Sequence, residues 1–301
     1  MGKIVVIGSI NLDLVVEVDE IPKIGETVMG NSLSQIPGGK GANQAVAMAK
    51  LGCDVDFLGK VGNDNFSSLV LESMRKSGVN TRNIETEDTS TGIAIINVDK
   101  KANNNIIVIP GANGKVDETY LLEHEEIIKN AEVVVFQLEI PIDTVKFGLK
   151  LAKRHDKLTI LNPAPAYELD DEIIENVDII IPNEHELSRL THMEINDEND
   201  LTNASKALIE RKIKKIIVTL GEKGALYVDK NTTKLYPSYK VKAVDSTAAG
   251  DAFIGGFVGN YIQTKDIDKA IDMGQRTAAI AIQRFGAQTS LPTLEEVLNF
   301  K

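Results

Sequence analysis

The chain has 301 residues, 43% hydrophobic and 26% charged, with 33 Lys and Arg against 44 Asp and Glu, a formal net charge of −11. This is the balance of a globular core under a solvated surface; it excludes a disordered chain, and without a basic stripe it excludes a nucleic-acid binder. No apolar run nears the ~18 residues of a membrane span, and the single cysteine, Cys53, excludes an internal disulfide or a cysteine-held metal cluster, so a cytoplasmic enzyme is expected.

The first eight residues carry one basic group before a short apolar stretch and read as a first strand, 3–10, rather than a signal peptide. An alternating run, 12–18, follows almost at once. A helical pattern covers 42–50, a strand 54–61 and a second helix 66–76. Two β-like runs, 91–98 and 105–109, are joined by the turn-forming residues 99–104. Helical spacing then covers 116–129, 144–154, 201–211, 249–263 and 267–284, and strands are expected at 132–137, 158–161, 178–182 and 215–220. Several strands are near-continuous Val/Ile runs, the mark of a parallel sheet buried on both faces. The alternation predicts an α/β fold, an open, mostly parallel sheet sandwiched by helices. The runs at 12–18 and 91–109 have no helix between them and read as antiparallel strands outside the main sheet, a small flap over the site.

Common nucleotide-loop, dinucleotide and nucleophile-elbow motifs are absent. His124, His155, His185 and His192 share no metal-binding spacing and read as surface residues. Two glycine-bearing stretches stand out. Pro37-Gly-Gly-Lys-Gly-Ala-Asn-Gln44 leads into a helix; its glycines permit close backbone approach, and Lys40 and Asn43 offer donors. A flexible loop with a capped helix start is the plainer reading. In Val244-Asp-Ser-Thr-Ala-Ala-Gly-Asp-Ala-Phe253, a small-residue turn, Ala248-Ala249-Gly250, opens a helix with Asp251 in its first turn. Free amides there suit an anion, and an adjacent carboxylate can take a proton from an alcohol, which is what phosphoryl transfer to a hydroxyl needs. A dipole-favoured cap is the plainer reading for Asp251.

These two stretches together resemble the N-terminal and C-terminal signatures of the ribokinase-like sugar kinases, and the resemblance runs in order along the whole chain. Ala248, where many relatives have Gly, and Ser246, where Thr is commoner, are mild departures. The resemblance implies ATP-dependent phosphorylation of D-ribose at its 5-hydroxyl; deoxyribose, fructose or a nucleoside are the alternative acceptors, and a non-catalytic sugar sensor is the rival of another class. It implies Asp251 as base and the amides of Ala248, Ala249 and Gly250 as an anion hole. Sugar contacts fall on Asn11, Leu12, Asp13, Gly39, Lys40, Gly41, Ala42, Asn43, Glu139 and Asp251. ATP contacts fall on Asn183, Thr219, Leu220, Gly221, Glu222, Lys223, Gly224, Gly250, Asp251 and Gln275. Glu186 is implied near Mg²⁺ through water. A K⁺ site is implied at Asp245, Thr247, Ala281, Arg284, Gly286 and Ser290. The resemblance further implies a single domain over 1–301, with lid strands inserted at about 11–34 and 91–110, and a homodimer formed through that lid by residues such as Val15 and Ile107.

Overall fold

The computed structural model of the chain describes residues 2–101 and 103–300; Met1 and Lys301, at the ends of the expected domain, and Ala102, in the expected 99–104 turn, lie outside the described residues. Strand β1 (Ile4–Ile7) is followed directly by β2 (Asn11–Val18) and β3 (Gly30–Gly38). Helix α1 (Lys40–Lys50) leads to β4 (Val55–Gly62), α2 (Asn65–Lys76) and β5 (Ile84–Glu87). Next come β6 (Gly92–Val98), β7 (Asn104–Ile109) and a 3₁₀ turn at Gly111–Lys115. The chain continues through α3 (Glu118–Glu123), α4 (Glu125–Lys129), β8 (Val133–Phe136), α5 (Ile142–Arg154), β9 (Leu158–Leu161), α6 (Asp171–Ile174), β10 (Ile179–Ile180) and α7 (Glu184–Thr191). It ends with α8 (Glu198–Glu210), β11 (Lys215–Thr219), β12 (Ala225–Asp229), β13 (Thr233–Tyr236), α9 (Ala249–Thr264), α10 (Ile267–Ala281) and α11 (Leu294–Asn299).

The main sheet has the order β13-β12-β11-β10-β9-β8-β1-β4-β5. From β11 to β5 its strands run parallel, and β12 and β13 add an antiparallel edge. Successive residues face opposite layers. Ile4, Val6, Val133 and Val135 pack with α1, α9 and α10, whereas Val5, Ile7, Val134 and Phe136 pack with α5, α7 and α8. With both faces covered, these runs show no polar alternation.

A second sheet has the order β3-β2-β6-β7. Its β2–β3 and β6–β7 pairs are antiparallel, but β2 and β6 pair parallel, Asn11 opposite Gly92. The expectation of antiparallel strands is therefore corrected at that pair. Parallel neighbours need a long crossover, and β3, α1, β4, α2 and β5 supply it. The first segment of this sheet also runs on to Gly38, past the expected limit near 34.

The expected helix at 116–129 is two helices. Asp117 accepts from the Tyr120 amide at 2.9 Å and starts α3; the chain then breaks at His124, whose backbone (φ −107°, ψ 16°) is not helical. The glycine pair in α9 packs against protein: a Cβ on Gly255 would fall 2.3 Å from the Ala47 Cβ, and one on Gly256 would fall 2.7 Å from the Met273 carbonyl. Small residues there bring α9 hard against α1 and α10, which fixes where Asp251 stands. His124 and His155 are half-buried and His185 and His192 exposed. Among the described residues no group of His, Cys, Asp and Glu is placed to hold a metal ion.

Candidate active site

Because β1, β8, β9, β10 and β11 run parallel, the residues just past their carboxyl ends gather along one edge of the sheet. That is where ligands bind in open α/β sheets. A polar cleft of about 220 Å³ opens there, lined by Lys40, Asn162, Asn183, Glu186, Gly250 and Asp251 among others.

The glycine loop enters this edge in a geometry that only glycine permits at two points. Gly39 has φ +89°, and a Cβ on it would sit 2.7 Å from the Asn11 amide nitrogen. A Cβ on Gly41 would sit 2.7 Å from the Ser9 amide nitrogen. The start of α1 therefore lies against the β1–β2 connection, and the loop read as flexible is a strand end running straight into a helix. Ser9 locks the junction: its hydroxyl donates to Glu139 Oε2 at 2.5 Å and accepts from the Gly41 amide at 3.3 Å. Glu139 Oε2 also accepts from the Lys40 amide at 3.0 Å.

Asn11 and Asp13 stand on one face of β2, and Leu12, between them, points into the apolar core. Ala42 is likewise wholly buried, and its amide donates to the Ser9 carbonyl at 2.9 Å. Leu12 and Ala42 thus space the polar residues. Asn113, which sequence reasoning missed, holds Asn11. Its Nδ2 donates to Asn11 Oδ1 at 2.7 Å and to the Ile10 carbonyl at 3.1 Å, while its Oδ1 accepts from the Ile10 amide at 2.9 Å. The only sequence signal was the Gly-Ala-Asn-Gly turn around it.

Asp251 sits in the first turn of α9, 6% exposed. Its Oδ2 accepts from Asn43 Nδ2 at 3.1 Å and its Oδ1 from Gln44 Nε2 at 3.0 Å. Burial pushes its pKa up, against the pull of the Lys40 charge and these two amide donors. Asp13 is pushed up to about 7, first by burial and then by the charges of Glu139 and Asp251, with Lys40 opposing. Burial works against the Lys40 ammonium, but Asp251, Glu139, Glu186 and Asp13 outweigh it and its pKa rises. One cation thus serves four carboxylates. The Asn43 Oδ1 atom is buried without a hydrogen-bond partner, and an orphaned acceptor beside a carboxylate is where a hydroxyl donor fits.

The start of α9 carries no side-chain cap. The Ala249 amide donates to the Ser246 carbonyl at 3.1 Å, so of the three expected anion-hole positions this one is already engaged. Gly250 is exposed at the cleft, with nothing within 4 Å of where its Cβ would be. Asn183 and Glu186 form a reciprocal capping box for α7: the Asn183 amide donates to Glu186 Oε2 at 2.9 Å and the Glu186 amide to Asn183 Oδ1 at 2.8 Å. Burial raises the Glu186 pKa.

The expected nucleotide contacts are divided. Thr219 lines the polar cleft with Asn183. Gly221, Glu222 and Lys223 form a 3₁₀ turn into β12, with positive φ at Gly221 and Gly224. Leu220 and Lys223 line a separate hollow of about 440 Å³, beside Ile195 and Leu201, which Asp251 and Lys40 do not reach. The Asp251 carboxylate, the Lys40 ammonium and the open start of α9 converge on the smaller cleft. Gln275 lies on α10 and donates to the Tyr236 carbonyl at 3.0 Å.

Of the expected cation residues, Asp245, Thr247 and Gly286 are joined directly. Asp245 Oδ1 accepts from the Thr247 amide at 2.9 Å, and Asp245 Oδ2 from the Gly286 amide at 3.0 Å. The Ala281 carbonyl accepts from the Arg284 amide at 3.0 Å, Arg284 pairs with Glu296 at 2.5 Å, and the Ser290 hydroxyl donates to the Ala287 carbonyl at 2.8 Å.

A buried carboxylate beside an uncapped helix start, at the strand-end edge of an open α/β sheet, is an arrangement that phosphoryl transfer to a hydroxyl can use. The chain matches the pfkB family of carbohydrate kinases over residues 1–294 and belongs to that family. It is 39% identical to the ribokinase of Haemophilus influenzae over 98% of this chain and 97% of that protein. It is 38% identical to the deoxyribokinase of Salmonella typhi over 97% and 96%. Against the bifunctional ribokinase/ribose-5-phosphate isomerase A of Fructilactobacillus sanfranciscensis it is 42% identical, but it spans only 56% of that longer relative. The structure of Arabidopsis thaliana ribokinase complexed with ribose and ATP matches with a TM-score of 0.93 at 30% identity, over 99% of this chain and 98% of that one. No described helix is long and apolar enough to cross a membrane.

Proposed function

We propose that this chain transfers the γ-phosphoryl group of ATP to the 5-hydroxyl of D-ribose, giving ADP and D-ribose 5-phosphate in the cytoplasm. The observation that carries this reading is the pairing of Asp251 with the orphaned Asn43 acceptor beneath the open start of α9. The sugar lies between β2 and α1, on Asn11, Asp13, Lys40, Asn43 and Glu139. Its 5-hydroxyl attacks the γ-phosphorus and gives its proton to Asp251, and the bond from that phosphorus to its bridging oxygen breaks. The Gly250 amide and Lys40 face the charge on the transferred group. ATP runs from there toward Asn183, Thr219, the turn after β11, and Gln275. ADP release measured with ribose, 2-deoxyribose, fructose and adenosine tests the reading. Ribose should give the highest kcat/KM; equal or better use of 2-deoxyribose would move the assignment to a deoxyribokinase.

Magnesium, when bound, neutralises charge on the phosphates. Both Glu186 oxygens already accept from Asn183, which suits a role through water. The Asp245, Thr247, Gly286 and Ser290 set offers oxygens only and fits a monovalent cation. These residues tie the approach to α9 to the loop after α10, so order there fixes the amides around Gly250. Exchanging potassium for a bulky organic cation at constant ionic strength should lower turnover, and Asp245→Ala should lose that response. An unchanged rate would reduce these residues to a helix closure.

Asp13 gives sugar binding a pH dependence. Below about 7 the empty site holds Asp13 protonated, whereas a donating sugar hydroxyl favours the carboxylate. Sugar binding then expels a proton, and affinity rises with pH. Ribose affinity should weaken about tenfold from pH 8 to pH 6, and Asp13→Asn should flatten the trend; calorimetry over that range reads both.

The small sheet acts as a lid over the sugar within a single working unit. Its outer strand β7 leaves Ile106, Ile107 and Val108 each at least half exposed, a surface that proteins cover. A second copy seated on this sheet gives a homodimer.

A further inference from the structure

Asp251 is gripped by more than the residues of the two glycine-bearing stretches. Gln44 in α1, Gln137 just past β8 and Asn162 just past β9 form one buried chain of amides that ends on it; Gln44 and Gln137 are fully buried and Asn162 is 7% exposed. Gln137 Nε2 donates to Gln44 Oε1 at 2.7 Å. Gln44 Nε2 donates to Asp251 Oδ1 at 3.0 Å and to Asn162 Oδ1 at 3.1 Å. Asn162 Nδ2 donates to the Ile181 carbonyl at 3.0 Å.

Every amide in this chain has a forced orientation. A carboxylate only accepts, so Gln44 must turn its amino group to Asp251 and offer its carbonyl to Gln137. At the far end the Ile181 carbonyl only accepts, so Asn162 must donate there and present its own carbonyl to Gln44. Both protons of Gln44 Nε2 are spent, and rotating that amide would break all three of its bonds. Asn43, on the other side of the carboxylate, must donate to Asp251 Oδ2 for the same reason; its Oδ1 is left without a partner, as is Gln137 Oε1 at the near end of the chain.

We propose that Gln44 is the positioning residue of the base: it pins Asp251 Oδ1 from behind and leaves Oδ2, the oxygen shared with Asn43, to the attacking hydroxyl. This rests on Asp251 being the base. The charged groups that face Asp251 are Lys40, Glu139, Asp13 and Glu186, and none of them changes in the variants below. A network that only knits α1 to the strand ends predicts lost stability and nothing more.

The test is the pH dependence of kcat in Gln44→Met and Gln44→Glu. Gln44→Met should lower kcat about 10- to 100-fold, the range of a displaced catalytic group, with the KM for ATP little changed. Its acid limb should move to higher pH, because a donor that favours the ionised carboxylate is gone. Gln44→Glu should move it further, because a like charge is placed beside Asp251. In an Asp251→Asn background Gln44→Met should add no further loss, since it acts through the missing base. Gln137→Leu, which touches Gln44 but not Asp251, should show a smaller shift of the same sign and keeps the test alive if Gln44→Met does not fold. A lowered melting temperature with unmoved limbs, or an additive loss in the Asp251→Asn background, overturns the assignment. A wild-type chain with no sugar-dependent ADP release overturns the kinase reading and this inference with it; an active wild type with unmoved limbs overturns this inference alone.

Discussion

Asp251→Asn should lower turnover by ~100- to 10,000-fold, the usual cost of losing a general base, while ATP and ribose still bind. The substitution is unusually clean here because the surrounding amides can absorb it. Gln44 is locked as a donor, so the new side chain must turn its oxygen toward Gln44 Nε2. Its amino group then faces Asn43, whose Nδ2 now donates to Asp251 Oδ2 and whose Oδ1 has no partner. Rotating the Asn43 amide restores a donor–acceptor pair and puts Nδ2 where Oδ1 lacked a partner, so the number of unpaired buried atoms does not rise. Stability should follow a definite sign. Burial raises the Asp251 pKa in the folded state, so its ionised form costs stability, and that cost grows as pH rises above the ordinary carboxylate range. The Asn variant should therefore match or exceed the wild-type melting temperature near pH 8. Near-normal turnover in a folded variant would remove Asp251 from the role of base.

The sequence disclosed those parts of the molecule that are written locally. Residues 4–7 and 133–136 are legible as strands because burial on both faces demands unbroken Val and Ile. Lys40, Asn43 and Asp251 are legible because each sits within a turn of a helix start prepared by small residues, a signal complete within ten positions. β3 was not legible. Its sequence, Gly-Asn-Ser-Leu-Ser-Gln-Ile-Pro-Gly, has loop composition, and it is a strand only because β2 supplies the ladder; Pro37 is tolerated because β3 is an edge. β12 and β13 were missed for another reason: β12, Ala-Leu-Tyr-Val-Asp, has strand composition and is buried over its first four residues, but the two are short hairpin strands behind a turn. The amide chain was out of reach altogether. Gln44 meets Gln137 across 93 positions, Asn162 across 118 and Asp251 across 207, and no single one of these residues differs from an ordinary polar residue until the strand ends are brought together.

Lys40→Met should be nearly as damaging as loss of the base, for a different reason. Lys40 opens α1, where the helix dipole disfavours a cation and where the first turn holds no acidic residue to offset it. Among the described residues it is the only basic side chain lining the cleft, and its charge is favoured there by Asp251, Glu139, Glu186 and Asp13 in spite of burial. Removing it leaves four carboxylates to repel one another and the incoming phosphates. Breaking a buried charge arrangement by deleting one sign costs ~3–5 kcal/mol, which, if it falls on the transition state, corresponds to a loss in kcat/KM of about 200- to 5,000-fold. Lys40 now holds down the pKa of both Asp251 and Asp13, so its loss must push both higher. The acid limb of the rate profile should then move to higher pH, and ribose binding should need a more alkaline solution than in the wild type. Lys40→Arg restores the charge without the shape and should recover the limb before it recovers the rate. Rate profiles of the two variants across pH 5 to 9 decide the matter. If Lys40→Met keeps the wild-type limb, the carboxylates are balanced by something other than Lys40, and its part in the site shrinks to a contact with the sugar.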